Sequence, residues 1–144
     1  MNLRDSLNQY YYDTTVSDLR QLSRTGGGEL SYNSMMYLDV ISFQHEQGGC
    51  TVSTLAETLR ITRSAVTLKV NALEKLGLVV KTRSETDRRV IYLDVSDTVR
   101  QALNVYDPPF ERAARLVEET YSPGQVEIFC QILQTFRVEF TKGF

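Results

Sequence analysis

The stretch TVSTLAETLRITRSAVTLKVNALEKLG, Thr51–Gly77, decides the fold. Thr51 can cap a free helix N–H, and Val52, Leu55, Ala56 and Leu59 then fall on one side of a short helix. Thr62 is a second cap only a few residues later. Ile61 before it and Val66 after it hold the N′ and N4 positions of a hydrophobic staple. The helix it opens runs from Arg63 to Leu76, and Gly77 supplies the stop. Two short capped helices joined by a tight turn predict a helix-turn-helix.

Beyond Gly77 the pattern becomes extended. Leu78–Thr82 is apolar and β-branched, Arg83–Asp87 is a polar turn, and Val90–Val95 is a second strand-like run. Helix, turn, helix and hairpin in that order predict a winged helix. Upstream, Ser31 is a cap for a helix with Met35, Leu38, Ile41 and His45 at three- and four-residue spacing, ended by Gly48-Gly49. Leu3, Leu7, Tyr10, Tyr11, Val16, Leu19 and Leu22 form a helical apolar surface that Gly26-Gly27-Gly28 must break.

Downstream, Ser96 caps a helix with the stripe Val99, Leu103, Tyr106, Phe110, Ala113, Val117 and Tyr121. Pro108-Pro109 interrupts its backbone hydrogen bonds, but the stripe keeps its phase, which favours one kinked helix over two. Ser122-Pro123 reads as N-cap and N1 of a last helix, with Val126, Phe129, Cys130, Leu133, Phe136 and Phe140 on its inner face. The fold class is therefore mostly α with a small β-hairpin wing. A winged helix-turn-helix over 31–96 is flanked by helical regions 1–30 and 97–144.

A chain of 144 residues with 42% apolar and 24% charged residues is long enough for one stable core without disulfides or metals. No apolar run approaches the ~20 residues of a membrane span, and MNLRDSLNQY lacks a signal-peptide core, so a cytoplasmic protein without membrane partners is expected. Cys50, Cys130 and the lone His45 make no spaced metal-ligand set, and no cofactor is implied. No nucleophile–base pair, carboxylate dyad or phosphate loop is legible, so an enzyme is not expected. The net charge is −2, yet residues 51–95 hold eight Lys/Arg against five Asp/Glu, +3, leaving −5 elsewhere. A basic centre in an acidic chain suggests that the centre meets phosphate.

At about 100° per residue, Val66, Val70 and Leu73 share one side of the second helix, with Leu76 toward it. Ser64, Thr67, Leu68, Asn71 and Lys75 fall opposite. A major groove ~12 Å wide admits one helix. Ser64 and Thr67 can meet base edges or phosphate, Asn71 suits adenine, and Leu68 can pack on a thymine methyl. Arg63 in the first turn is placed for guanine or phosphate. Lys75, Arg83, Thr51, Ser53 and Thr62 are the other candidate phosphate contacts. The wing carries Arg83, Arg88 and Arg89, and a guanidinium there can enter the minor groove. Asp87 makes sense as the partner that sets one arginine's geometry. The alternatives are a solvated polar face and a plain surface ion pair, in a winged helix serving protein interaction without DNA.

The run Leu73–Val79, LEKLGLV, followed ten residues after Gly77 by Asp87-Arg88-Arg89, resembles the MarR family of transcriptional regulators. The pattern is unbroken from Leu73 to Ser96 and looser from Thr51. The resemblance implies a homodimer built from the terminal helices, binding double-stranded DNA at a pseudo-palindromic operator. It implies Arg89 in the minor groove, oriented by Asp87, with Ser64 and Thr67 in the major groove. It also implies repression, relieved by a small aromatic effector or an oxidant. This sequence departs from the family where Thr54 replaces a usual Glu, leaving the first capping box incomplete. Leu68-Lys69 inverts a basic-then-apolar order, Val99 replaces a frequent Gly, and Pro108-Pro109 is unusual.

Separately from the family, Tyr10, Tyr11, Phe110, Phe129, Phe136 and Phe140 exceed the aromatic needs of a small winged domain. They either pack across a two-fold axis or fold onto their own lobe. Cys50, beside Gly48-Gly49, is either a redox trigger or a small buried apolar residue. Cys130 reads as buried in its stripe.

Overall fold

A computed structural model describes residues 1–24 and 30–144. The glycine break expected at Gly26–Gly28 lies outside the described residues. The elements are α1 (Leu3–Arg24), α2 (Tyr32–Glu46), α3 (Val52–Leu59), α4 (Arg63–Lys75), β1 (Val79–Arg83), β2 (Ile91–Val95), α5 (Asp97–Asn104), α6 (Asp107–Thr120) and α7 (Pro123–Thr141). They fall into two compact units, Met1–Ser96 and Asp97–Phe144.

In the first unit three of the expected caps, Ser31, Thr51 and Thr62, form. Ser31 accepts from the Ser34 N–H, Thr51 from Thr54 and Thr62 from Ala65, each at 3.1 Å. These bonds satisfy N–H groups that have no partner inside the helix. Gly77, at φ 75°, takes the left-handed conformation that ends α4 cheaply. β1 and β2 pair antiparallel in a register from Val79↔Val95 to Arg83↔Ile91. On the other side of β2, the Leu93 N–H donates to the Cys50 carbonyl at 2.8 Å, so one residue between α2 and α3 adds a minimal third strand.

The core of this unit joins Leu38 and Ile41 of α2, Leu55 of α3, Val66, Val70 and Leu73 of α4, and Val79, Leu93 and Val95 of the hairpin. Each such side chain contributes about 1.5–3 kcal/mol by leaving water. The buried set on α4 is the predicted one, except that Leu76 is exposed. His45 also leaves the predicted stripe: its imidazole is half-exposed and its Nε2 lies 3.3 Å from Asp94 on β2.

The second unit corrects the expectation of one kinked helix. α5 ends at Asn104 and α6 begins at Asp107. In a continuous helix Pro108 and Pro109 would leave the carbonyls of Asn104 and Val105 without donors, and their rings would clash with the preceding turn. The chain instead closes α5 with a Tyr106 N–H bond to Leu103 and restarts. Both prolines then sit in the first turn of α6, where helix N–H groups lack partners anyway. Ser122 caps α7 as expected, and Gln125 completes a capping box by accepting from the Ser122 N–H at 2.9 Å.

Neither α6 nor α7 buries a residue within the chain. Phe129, Cys130, Leu133, Phe136 and Phe140 are all exposed, contrary to an inner face formed within the chain. Phe136 and Phe140 stack at 5.6 Å, with Phe144 5.5 Å from Phe140. α1 buries nothing either, leaving Tyr10, Tyr11 and Tyr12 exposed.

Candidate nucleic-acid interface

The turn between α3 and α4 sets the course of two helices. Arg60 takes the left-handed conformation, φ 54°, and the Ile61 N–H reaches back to the Ala56 carbonyl at 3.2 Å. A non-glycine residue there costs about 1 kcal/mol, so the sharp turn is held by the packed helices on each side. The Thr54 departure turns out to be harmless. Its hydroxyl accepts from the Thr51 N–H at 2.9 Å, closing the capping box with a shorter side chain than Glu, and donates to Gln44 Oε1 at 2.9 Å. The expectation of an incomplete box is thus overturned, because a hydroxyl both accepts and donates.

With Val66, Val70 and Leu73 in the core, α4 turns Arg63, Ser64, Thr67, Leu68, Asn71 and Lys75 to solvent. The inverted Leu68-Lys69 pair has a physical explanation. Leu68 is 73% exposed, whereas Lys69 folds back onto α2, donating to Ser34 Oγ at 2.7 Å with its ammonium 5.6 Å from the Tyr37 ring centroid. An apolar residue therefore stands on the outward face and a basic one buttresses the helix from behind.

Asn71 is engaged. Lys81 on β1 donates to its Oδ1 at 2.6 Å and lies 3.2 Å from Glu74 Oε1, tying the wing strand to α4. Nothing in the sequence separated Lys81 or Lys69 from ordinary surface lysines, because both bonds join elements brought together by the fold.

The wing is a small hydrogen-bonded frame. The Ser84 N–H donates to the Val90 carbonyl at 2.9 Å, the Val90 N–H to Asp87 at 3.0 Å, and Arg83 Nη1 to the Arg88 carbonyl at 2.6 Å. Asp87 Oδ1 accepts from the backbone N–H and Nε of Arg89, both at 3.1 Å, and Oδ2 accepts from Nη2 at 3.3 Å. The Arg89 side chain beside Asp87, aided by the Arg89 backbone N–H, holds that carboxyl below its ordinary 3.8. Arg89 is nevertheless 90% exposed in its side chain, so its direction is set while its outer edge faces water. As an exposed pair it adds little to stability. Arg88 is exposed beside it.

The remaining candidate phosphate contacts lie around the same lobe. Ser53 and Lys75 are exposed; Thr62 accepts as a cap and keeps its proton to donate, whereas the Thr51 hydroxyl caps α3 and also donates to Thr54 Oγ1 at 3.5 Å. Cys50 is fully buried, and burial pushes its thiol up to about 11 against a partial offset from Thr54. A thiol so protonated and covered is unsuited to sensing oxidants. Among the described residues no group of His, Cys, Asp and Glu could hold a metal ion, and no helix is long and apolar enough to cross a membrane.

The sequence profile of the MarR family matches residues 29–90. The HTH-type transcriptional repressor MdtR of Bacillus subtilis is 38% identical over 60 residues, 42% of this chain and 39% of MdtR. YwhA, an uncharacterized HTH-type transcriptional regulator of Bacillus subtilis, is 24% identical over 90 residues, 57% of this chain and 65% of YwhA. The matched part thus spans less than two thirds of either relative's length. FabT of Streptococcus pneumoniae, solved in complex with DNA, shares the fold at a TM-score of 0.62 and 21% identity, covering 98% of this chain and 99% of FabT. Residues 29–90, which hold the capped helix pair and the hairpin turn with its Asp87–Arg89 clamp, are thus similar to the MarR family.

Proposed function

We propose that the protein is a transcriptional regulator that binds double-stranded DNA in sequence-specific fashion, as a cytoplasmic homodimer on a pseudo-palindromic operator. The observation that carries this reading is the pairing, in one lobe, of an outward polar face on α4 with a guanidinium clamped at the tip of a hairpin. α4 has the width and chemistry of a major-groove reader: Ser64, Thr67, Leu68 and Asn71 meet base edges, and Arg63 meets guanine or phosphate. Arg89, aimed by Asp87, enters the adjacent minor groove, with Arg88 close by. Thr51, Ser53, Thr62, Lys75 and Arg83 bind phosphates around the lobe.

Dimerisation is supported by the exposed aromatic residues of α1, α6 and α7, a larger apolar surface than monomers usually leave in water. A two-fold dimer sets two recognition helices about one DNA turn apart. Repression is supported by the similarity to MdtR, a transcriptional repressor. Release by a small aromatic effector rests on the family resemblance alone. The relatives are named as regulators, and regulation without catalysis is the reading for this chain as well.

Selection from a random duplex pool, followed by affinity measurements at several salt concentrations, tests the proposal. An inverted repeat with half-sites one turn apart, bound with a steep negative salt slope, is expected. Recovery of no motif and only weak, salt-sensitive binding would overturn it in favour of a protein-interaction module.

A further inference from the structure

An asparagine that reads adenine uses both ends of its amide: the oxygen accepts from N6–H2 while the nitrogen donates to N7. In this chain the oxygen end is already turned away. Asn71 Oδ1 faces Lys81 Nζ at 2.6 Å, and that ammonium also lies 3.2 Å from Glu74, three residues on along α4. The orientation of the amide is dictated by chemistry, because an ammonium has three donors and no acceptor and so can be met only by the oxygen. Nδ2 is left pointing away from β1, and no described residue accepts from it.

We propose that Lys81, anchored by Glu74, is a positioning residue that locks Asn71 as a hydrogen-bond donor, so that Asn71 prefers a guanine or thymine edge to adenine. Guanine offers N7 and O6 to such a donor, and thymine offers O4. Adenine keeps N7 for one such bond but sets its N6–H2 beside the Asn71 NH2, donor against donor, which weakens that bond; cytosine would present only its N4–H2 donor. The lock joins α4 to β1, so it also carries the wing strand and the reading helix as one piece. The inference rests on the DNA-reading function proposed above and narrows its specificity.

The experiment selects duplexes with the wild-type protein and with Asn71→Ala, Lys81→Met, Lys81→Arg and Glu74→Gln. The position whose preference collapses in Asn71→Ala is the one Asn71 reads. Guanine or thymine is expected there for the wild type, with a shift toward adenine of roughly tenfold in Lys81→Met. Lys81→Arg, still a pure donor, should retain the wild-type base, and Glu74→Gln should shift it in the same direction as Lys81→Met but less. Base preference is the readout because removing a cation weakens binding to every duplex alike. Adenine selected by the wild type, an unchanged preference in Lys81→Met, or no position sensitive to Asn71→Ala would each overturn the lock while leaving the regulator intact. A wild-type protein that recovers no motif would overturn the lock together with the DNA reading beneath it.

Discussion

In the winged lobe Leu38, Ile41, Leu55, Val66, Val70, Leu73 and Leu93 are withdrawn from water, whereas α1, α6 and α7 bury no residue although they carry Tyr10, Tyr11, Phe110, Phe129, Phe136 and Phe140. The lobe has a buried core, and apart from Leu68 the outward candidates on α4 and the wing are hydroxyl, amide and cationic groups. The terminal helices have the composition of a core without its burial. An amphipathic helix is stabilised by covering its apolar stripe, so helices of this kind are half of an interface, and on the proposed reading a second copy of the chain supplies the other half. On that reading the winged lobe carries recognition and the exposed aromatic helices carry assembly.

The contrast can be broken most severely by a cavity in the lobe. Leu73→Ala should lower stability by about 2–5 kcal/mol, read as a displaced urea midpoint at every protein concentration. A loss under 1 kcal/mol would mean that the lobe lacks that core. Phe129→Asp on α7 should leave the lobe folded yet abolish the dimer in sedimentation equilibrium. It should also weaken binding to a two-half-site operator on the order of a hundredfold, through lost effective concentration. A variant that stays dimeric would assign the aromatic face to something other than self-association.

Smaller effects sharpen the recognition side. Arg89→Ala should weaken operator binding by about 1–3 kcal/mol with thermal stability unchanged, and wild-type affinity in that variant would remove the wing from the interface. Thr54→Ala should cost about 1 kcal/mol of stability, since its hydroxyl completes the α3 capping box and reaches Gln44. The slightest effect concerns pH. Asp87 titrates below 3.8 in the folded wing because Arg89 favours its charged form. The clamp is therefore fully present above that value and is lost as pH falls through the lowered folded pKa. Carboxyl resonances followed by NMR should show Asp87 returning toward 3.8 in Arg89→Ala, and an ordinary value in the wild type would deny the clamp.

Much of the lobe was legible because its signals are local. A cap lies three residues from the N–H it satisfies, a recognition face repeats every three or four residues, and Gly77 ends a helix through its own φ. The same local logic misjudged Pro108-Pro109. A conserved stripe phase says which way side chains would point, but it does not supply the two N–H groups that a continuous helix lacks there. Thr54 was misjudged from the opposite direction, by comparing it with a residue of different length instead of asking what a hydroxyl can accept.

Sequence alone thus determined the order of elements, the hairpin with its arginines and the division of α4 into a core side and an outward side, since each follows from spacings of a few residues. Tertiary structure decided which polar groups are already spoken for. Lys69 lies against Ser34 and Tyr37, Lys81 against Asn71 and Glu74, and Cys50 under the sheet edge beside Leu93. Residues seven to forty-three positions apart meet there only once the core has closed, and a contact between different elements leaves no periodic trace in the chain.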